Sequence, residues 1–183
     1  MNRVCIFFAN GLEEIEGLTV VDLMRRAGIP VSIISISNSL EIIGAHQIKI
    51  AADALFSDMD FTDTEMLVLP GGMPGTTHLA AFAPLCKLLQ EFSTSGKYVA
   101  AICAAPTVLG ELGILKGKKA TCYPGMEAKL TGAEASAMPV VIDGNIITSR
   151  GMGTAIAFAG ELIALLEGRE TSDEILESIV YLK

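Results

Sequence analysis

Tryptophan is absent from this 183-residue chain, histidine occurs twice, and aromatic residues make up only 5% of it. The core must therefore be built from aliphatic side chains, and any mechanism that needs an imidazole base must use His46 or His78. Cations are scarce too: 13 Lys and Arg stand against 21 Asp and Glu, a formal charge of −8. A uniformly acidic surface repels phosphate backbones and anionic lipid, so neither nucleic acid nor a membrane surface is an expected partner. The four cysteines (Cys5, Cys86, Cys103, Cys122) include no C-x-x-C pair and have no histidine at ligand spacing, so no metal is expected. No apolar run reaches the roughly 18 residues that a membrane span requires. The run from Val4 to Ala9 is broken by Asn10, Gly11 and Glu13 before it could serve as a secretory signal. Reduced thiols in the cytoplasm are the expectation.

What is present is 51% apolar and 19% charged. That is the composition of a folded domain rather than of a disordered chain, a coiled coil or a collagen-like repeat. At this length a single domain over 1–183 is expected. Val4 to Ala9 reads as a buried strand, followed by a helix in which Ile15, Leu18, Val21 (or Val20) and Met24 recur at helical spacing until Gly28 and Pro30 stop it. Further strands are expected at Val31 to Ser37, Met66 to Leu69, Tyr98 to Ile102 and Thr121 to Tyr123. Glu41 to Ala51 reads as a small hairpin or edge element, and Val140 to Ser149 as two strands about Asp143-Gly144. Helices are expected from Pro84 to about Phe92, Pro106 to Leu112, Gly153 to Glu167, and from Thr171, where Thr171 and Glu174 have capping-box spacing. Strands alternating with helices predict a three-layer α/β/α sandwich around a mostly parallel, doubly wound sheet.

In such a sheet ligands bind beyond the carboxyl ends of the strands, where three features fall: the turn from Asn10 to Glu16, Gly71-Gly72, and Cys103. Ala101-Ile102-Cys103-Ala104-Ala105-Pro106 has the pattern of a nucleophile elbow, and the helix that follows is expected to lower the thiol's pKa. The same residues also read as a small hydrophobe packed among alanines. Gly71 and Gly72 offer unhindered amides for an oxyanion, or simply make a turn. Glu13 and Glu14 read as helix-start carboxylates in solvent. Glu16, one turn further in, could face Cys103, hold a proton beside the thiolate and move it as general acid and base. His46 and His78 read equally as surface residues, and Arg150 as an anion holder or as a structural bond to loop carbonyls.

With these residues in hand, the chain resembles the ThiJ/PfpI superfamily, in its parkinsonism-associated deglycase branch. The resemblance spans almost the whole length and rests on Gly11-Leu12-Glu13-Glu14-Ile15-Glu16, Val21-Asp22-Leu23-Met24-Arg25-Arg26-Ala27-Gly28-Ile29, Leu67-Val68-Leu69-Pro70-Gly71-Gly72, Ala100 to Pro106, and Thr148-Ser149-Arg150-Gly151-Met152-Gly153-Thr154. It implies a flavodoxin-like fold of the class I glutamine amidotransferase type and a homodimer. It also implies a reactive Cys103 partnered by a protonated Glu16, with Gly71, Gly72 and Ala104 amides lining the pocket. Members are described as glyoxalase-like or deglycase enzymes on reactive aldehydes and their adducts, as redox sensors through cysteine sulfinic acid, and as chaperones. No cofactor is implied. Three positions depart from the pattern. Ala104 stands where the peptidase branch has a histidine, Tyr123 stands where the deglycase has one, and His46 lies roughly where the family has an arginine. A phenol donates a hydrogen bond but is a poor base near neutrality.

Three functions follow as expectations. In one, Cys103 attacks a small reactive carbonyl while Glu16 moves the proton. In another, an oxidant converts Cys103 to sulfinic acid in a redox sensor or chaperone. The third, a PfpI-like hydrolase, needs a histidine within reach of Cys103 and is disfavoured by Ala104.

Overall fold

The computed structural model describes residues 3–181. In chain order its elements are β1 (Val4–Phe8), α1 (Glu14–Arg26), β2 (Val31–Ser35), β3 (Glu41–Ile43), β4 (Lys49–Ala51), β5 (Ala54–Leu55), β6 (Met66–Leu69), α2 (Gly75–Ala81), α3 (Ala83–Ser95), β7 (Tyr98–Ile102), α4 (Pro106–Glu111), β8 (Lys119–Ala120), β9 (Glu134–Ala135), β10 (Val140–Asp143), β11 (Ile146–Ser149), α5 (Ala155–Glu167) and α6 (Arg169–Ser178).

Seven strands form one sheet in the order β10-β11-β7-β6-β1-β2-β5. All its pairings are parallel except β10 with β11. Side chains alternate along a strand, so β1 sends Val4, Ile6 and Phe8 to one face and Cys5 and Phe7 to the other. The first face meets Val20 and Met24 of α1 and Phe158 and Leu162 of α5. The second meets Leu85, Leu89 and Phe92 of α3 and Val108 and Leu109 of α4. Each large aliphatic or phenyl side chain removed from water in this way contributes about 1.5–3 kcal/mol. The result is the three-layer α/β/α, flavodoxin-like sandwich that the alternating pattern predicts. Among the described residues no helix is long and apolar enough to cross a membrane.

From β1 the sheet continues to β2 on one side and to β6 and β7 on the other, so the strand order switches between β1 and β6. The crevice beyond their carboxyl ends is where this topology places a ligand. The β3–β4 hairpin stands outside the main sheet. It bends back over the start of α1, where Gly11 N–H donates to the Ile43 carbonyl and Ala45 N–H to the Leu12 carbonyl, both at 2.8 Å.

Several elements differ from the sequence expectation. The strand read at Thr121 to Tyr123 lies at Lys119–Ala120. The residues after it are held individually instead, Thr121 N–H by Thr148 Oγ1 at 2.9 Å and Tyr123 N–H by the Cys103 carbonyl at 2.8 Å. Helix α2 was hidden within a Pro- and Gly-rich turn. Strand β2 stops at Ser35 rather than Ser37, where the Ser35 and Ser37 hydroxyls bond each other and turn the chain. The last helix begins at Arg169, so Thr171 lies inside it and donates to the Glu167 carbonyl rather than forming a capping box.

Candidate active site

Strand β7 ends at Ile102 and the chain turns sharply at Cys103, whose φ is +64°. This left-handed backbone costs a residue bearing a Cβ about 1–2 kcal/mol, and a strand-to-helix elbow is where such strain is found. Two bonds hold it in place. Cys103 N–H donates to the Ser149 carbonyl at 2.9 Å, and the Cys103 carbonyl accepts from Tyr123 N–H at 2.8 Å. The sulfur is thereby turned toward the β1–β6 crevice, where the amides of Ala104 and Gly72 face it.

Glu16, in the first turn of α1, is 1% exposed. One carboxyl oxygen, Oε2, accepts the Gly71 N–H at 2.9 Å, while Oε1 is buried with no hydrogen-bond partner. Gly71 lies between the two side chains: a Cβ there would stand 2.7 Å from Cys103 Cβ and 2.7 Å from Glu16 Oε2. Only glycine lets them approach. The loop is fixed from the other side by Glu13 N–H, which donates to the Gly71 carbonyl at 2.9 Å.

Burial pushes the Glu16 carboxyl up to about 7, against the pull of the Cys103 thiol and the Gly71 amide, and the charge of Glu13 adds to the rise. The Cys103 thiol is pushed up to about 12, first by burial and then by Glu16. The expectation of a thiol lowered by the following helix is therefore corrected. Helix α4 starts only at Pro106, and the Ala104 and Gly72 amides are outweighed by burial and the adjacent carboxylate. Two acids in such contact titrate as a pair, and the doubly charged state is the one expelled. Protonating Glu16 removes the charge that opposes the thiolate and supplies an O–H to donate to it.

The remaining candidates are placed differently. The Tyr123 ring borders the sulfur: a Cβ on Gly151 would lie 3.4 Å from Tyr123 Cδ2 and 4.0 Å from Cys103 Sγ. Arg150 donates from Nη1 to the Ala137 carbonyl at 3.3 Å, the structural alternative. His78 binds the Asn10 carbonyl through Nδ1 at 2.9 Å and lines a separate cavity of about 310 Å³ with Ile36, Ser37 and Phe82. His46 sits at the hairpin tip with Nδ1 2.7 Å from Glu14 Oε2. Neither imidazole hydrogen-bonds Cys103, so the structure forms no Cys-His pair among the described residues.

Glu14 departs from its expectation. Read as a solvated helix-start carboxylate, it is 3% exposed, covered by the hairpin. Glu13, Glu14 and His46 form an ion-paired cluster across the hairpin tip. A contact between residues 32 apart leaves no local periodicity to read. All four cysteines are free. Cys5 and Cys122 lie in the core on the far face of the sheet from the one against which Cys103 packs.

A model of the DJ-1/PfpI family matches residues 2–165. Protein DJ-1 homolog B of Arabidopsis thaliana is 40% identical over 180 residues, which cover 97% of this chain but 41% of that protein. The chain thus spans under half the length of that plant relative. Protein dj-1beta of Drosophila melanogaster is 34% identical over 177 residues, covering 96% of this chain and 95% of the fly protein. Among solved structures, oxidized DJ-1 of Toxoplasma gondii superposes with a TM-score of 0.95 at 32% identity, covering 100% of both chains.

Proposed function

The chain belongs to the DJ-1/PfpI family, and from that premise we propose that it is a cysteine-dependent stress-response protein acting on small reactive carbonyls or their protein adducts, in the manner of a glyoxalase or deglycase. One observation carries the reading: a strained Cys103 whose sulfur faces two backbone amides and a buried carboxyl that holds its proton to about 7.

The chemistry follows from that placement. Glu16, the first of the pair to ionise, takes the Cys103 thiol proton, leaving a thiolate beside a protonated carboxyl, and the sulfur attacks an aldehyde carbon. The new alkoxide is held by the Gly72 and Ala104 amides. The Gly71 amide is already directed to Glu16 and serves to orient it. With a 2-oxoaldehyde the adduct is a hemithioacetal. Glu16 gives the proton it holds to the new alkoxide, then takes the proton from the carbinol carbon and returns it to the neighbouring carbon as the carbinol O–H proton passes to the ketone oxygen, giving a thioester that water hydrolyses to the 2-hydroxyacid and free thiol. No external oxidant, reductant or cofactor enters this balance. Tyr123, whose ring neighbours Gly151 as the sulfur does, would offer its hydroxyl to a substrate oxygen. Incubation with methylglyoxal is expected to yield lactate and Cys103→Ser to abolish it; lactate formation that survives the substitution would refute the assignment.

A second reading has its own support. Glu16 Oε1 is buried without a partner, ready to donate to an oxygen added to sulfur, and a Toxoplasma gondii relative has been solved in oxidized form. Here peroxide takes Cys103 through sulfenic to sulfinic acid. After mild peroxide, mass spectrometry should find two oxygens on Cys103 before any on Cys5, Cys86 or Cys122. Preferential oxidation of another thiol would rule it out. Four free thiols also suit a reducing, cytoplasmic setting.

We further propose a homodimer through α1. Its Ile15 and Leu18 are exposed beside Ile48 of the hairpin tip, along a groove of about 560 Å³ closed by Ile156 and Ile179. An apolar face of this kind on an otherwise acidic chain is an association surface.

A further inference from the structure

The start of α1 carries three carboxylates within four positions, Glu13, Glu14 and Glu16. Two of them are buried. Their cationic partner comes from another element. At the tip of the β3–β4 hairpin, His46 donates its backbone N–H to Glu14 Oε1 at 2.8 Å, and its ring Nδ1 lies 2.7 Å from Glu14 Oε2 and 3.7 Å from Glu13 Oε1. The fit is close: a Cβ on Gly44 would stand 2.1 Å from Glu14 Oε1. Ile43 N–H donates to Asn10 Oδ1 at 2.9 Å, so the hairpin grips the loop on both sides of the turn that leads to Glu16. That loop in turn holds Gly71 through Glu13 N–H.

We propose that His46 is a positioning residue for the Cys103–Glu16 pair: by clasping Glu14 it fixes the turn that carries Glu16, and its positive charge offsets Glu13 and Glu14 so that Glu16 can give up its proton. The inference rests on Glu16 being the carboxyl that works with Cys103. The charged groups involved can be named from each side. Glu16 faces Glu13, just before its own helix, and Cys103 from the elbow, while the β6–α2 loop presents the Gly71 amide. His46 faces Glu13 and Glu14, and Glu41 and Lys49 on the hairpin strands pair with each other. The Glu14 bond, then the charges of Glu13 and Glu14, hold the imidazole above its ordinary value, so it keeps its charge to higher pH than a free imidazole and loses it as pH rises. Above that point Glu13 acts on Glu16 unopposed, and Glu16 retains its proton to higher pH.

The test is the pH profile of Cys103 alkylation by iodoacetamide, counted by mass spectrometry on the Cys103 peptide of the full chain. His46→Gln keeps a polar side chain but removes the charge. Its midpoint should move up by roughly half a unit, the effect of one charge acting through a well-screened medium. His46→Lys, a permanent cation, should restore the midpoint to the wild-type position or below it. Glu13→Gln should shift it the opposite way from His46→Gln. In a Glu16→Gln background the His46→Gln shift should largely vanish, because the group through which it acts is gone. An unmoved midpoint in His46→Gln, a failure of lysine to restore it, or a shift undiminished without Glu16 each overturns the proposal. The readout does not use carbonyl turnover. A His46-dependent midpoint in a protein that makes no lactate would refute the enzymatic reading and leave this one standing.

Discussion

Cys103 and Glu16 combine two unfavourable features, a left-handed backbone at the thiol and a carboxyl buried without full solvation. The second has a measurable consequence. An unfolded glutamate ionises near 4.5, whereas folded Glu16 keeps its proton to about 7. Between those values the folded state binds more protons than the unfolded state, so this residue's contribution to stability falls as pH rises and is fully lost above 7. At about 1.4 kcal/mol per unit, the penalty at pH 8 is about 3 kcal/mol. Glu16→Gln cannot ionise and should therefore melt several degrees higher than wild type at pH 8, with the difference closing by pH 4.5; equal melting temperatures at pH 8 would show that the carboxyl is ionised in the fold without strain. That Cys103 and Glu16 could meet was legible in the sequence, because a turn residue between small neighbours and a carboxylate in the first turn of a helix are local patterns. The direction of the thiol's shift was not, since it depends on how deeply the pair is buried and on the two groups' mutual charge.

Among the elements, the β3–β4 hairpin does more for the site than its six strand residues suggest. It was legible as a small hairpin, but not as the cover over Glu14, because nothing in its own period reports where its tip docks. Gly44→Ala tests that docking. The new methyl would enter the Glu14 carboxylate, forcing the tip outward at a cost of about 1–3 kcal/mol in a thermal or urea melt, and an unchanged melt would mean that the tip can give way freely. The clasp also carries its own pH dependence. The His46 pKa is raised by Glu14, so the stabilisation it brings is complete below the ordinary histidine value and lost as pH climbs through the raised one. The strand misplaced at Thr121 to Tyr123 belongs to the same lesson. Those residues are held by Thr148 and by the carbonyl of Cys103, contacts set by the elbow and not by alternation.

At the scale of the molecule, the doubly wound order brings the end of β7, the β6–α2 loop and the start of α1 to one crevice, with the hairpin locking the last of these in place. The layer architecture was readable because helix and strand periods alternate along the chain; the assembly of the site was readable only where topology alone brings residues together. Association through α1 predicts a dimer mass in sedimentation at micromolar concentration and a monomer for Leu18→Glu, whose carboxylate would be buried against Ile48 and Ile156; a monomeric wild type would reject the α1 interface. The central claim, that Cys103 and Glu16 act as one proton-handling unit on carbonyls, is tested most directly by lactate formation from methylglyoxal in Glu16→Gln. The carboxamide keeps the shape and the Gly71 bond but cannot move a proton. The account predicts a loss of about a hundredfold or more with Cys103 still alkylated by iodoacetamide, and lactate at the wild-type rate would contradict it.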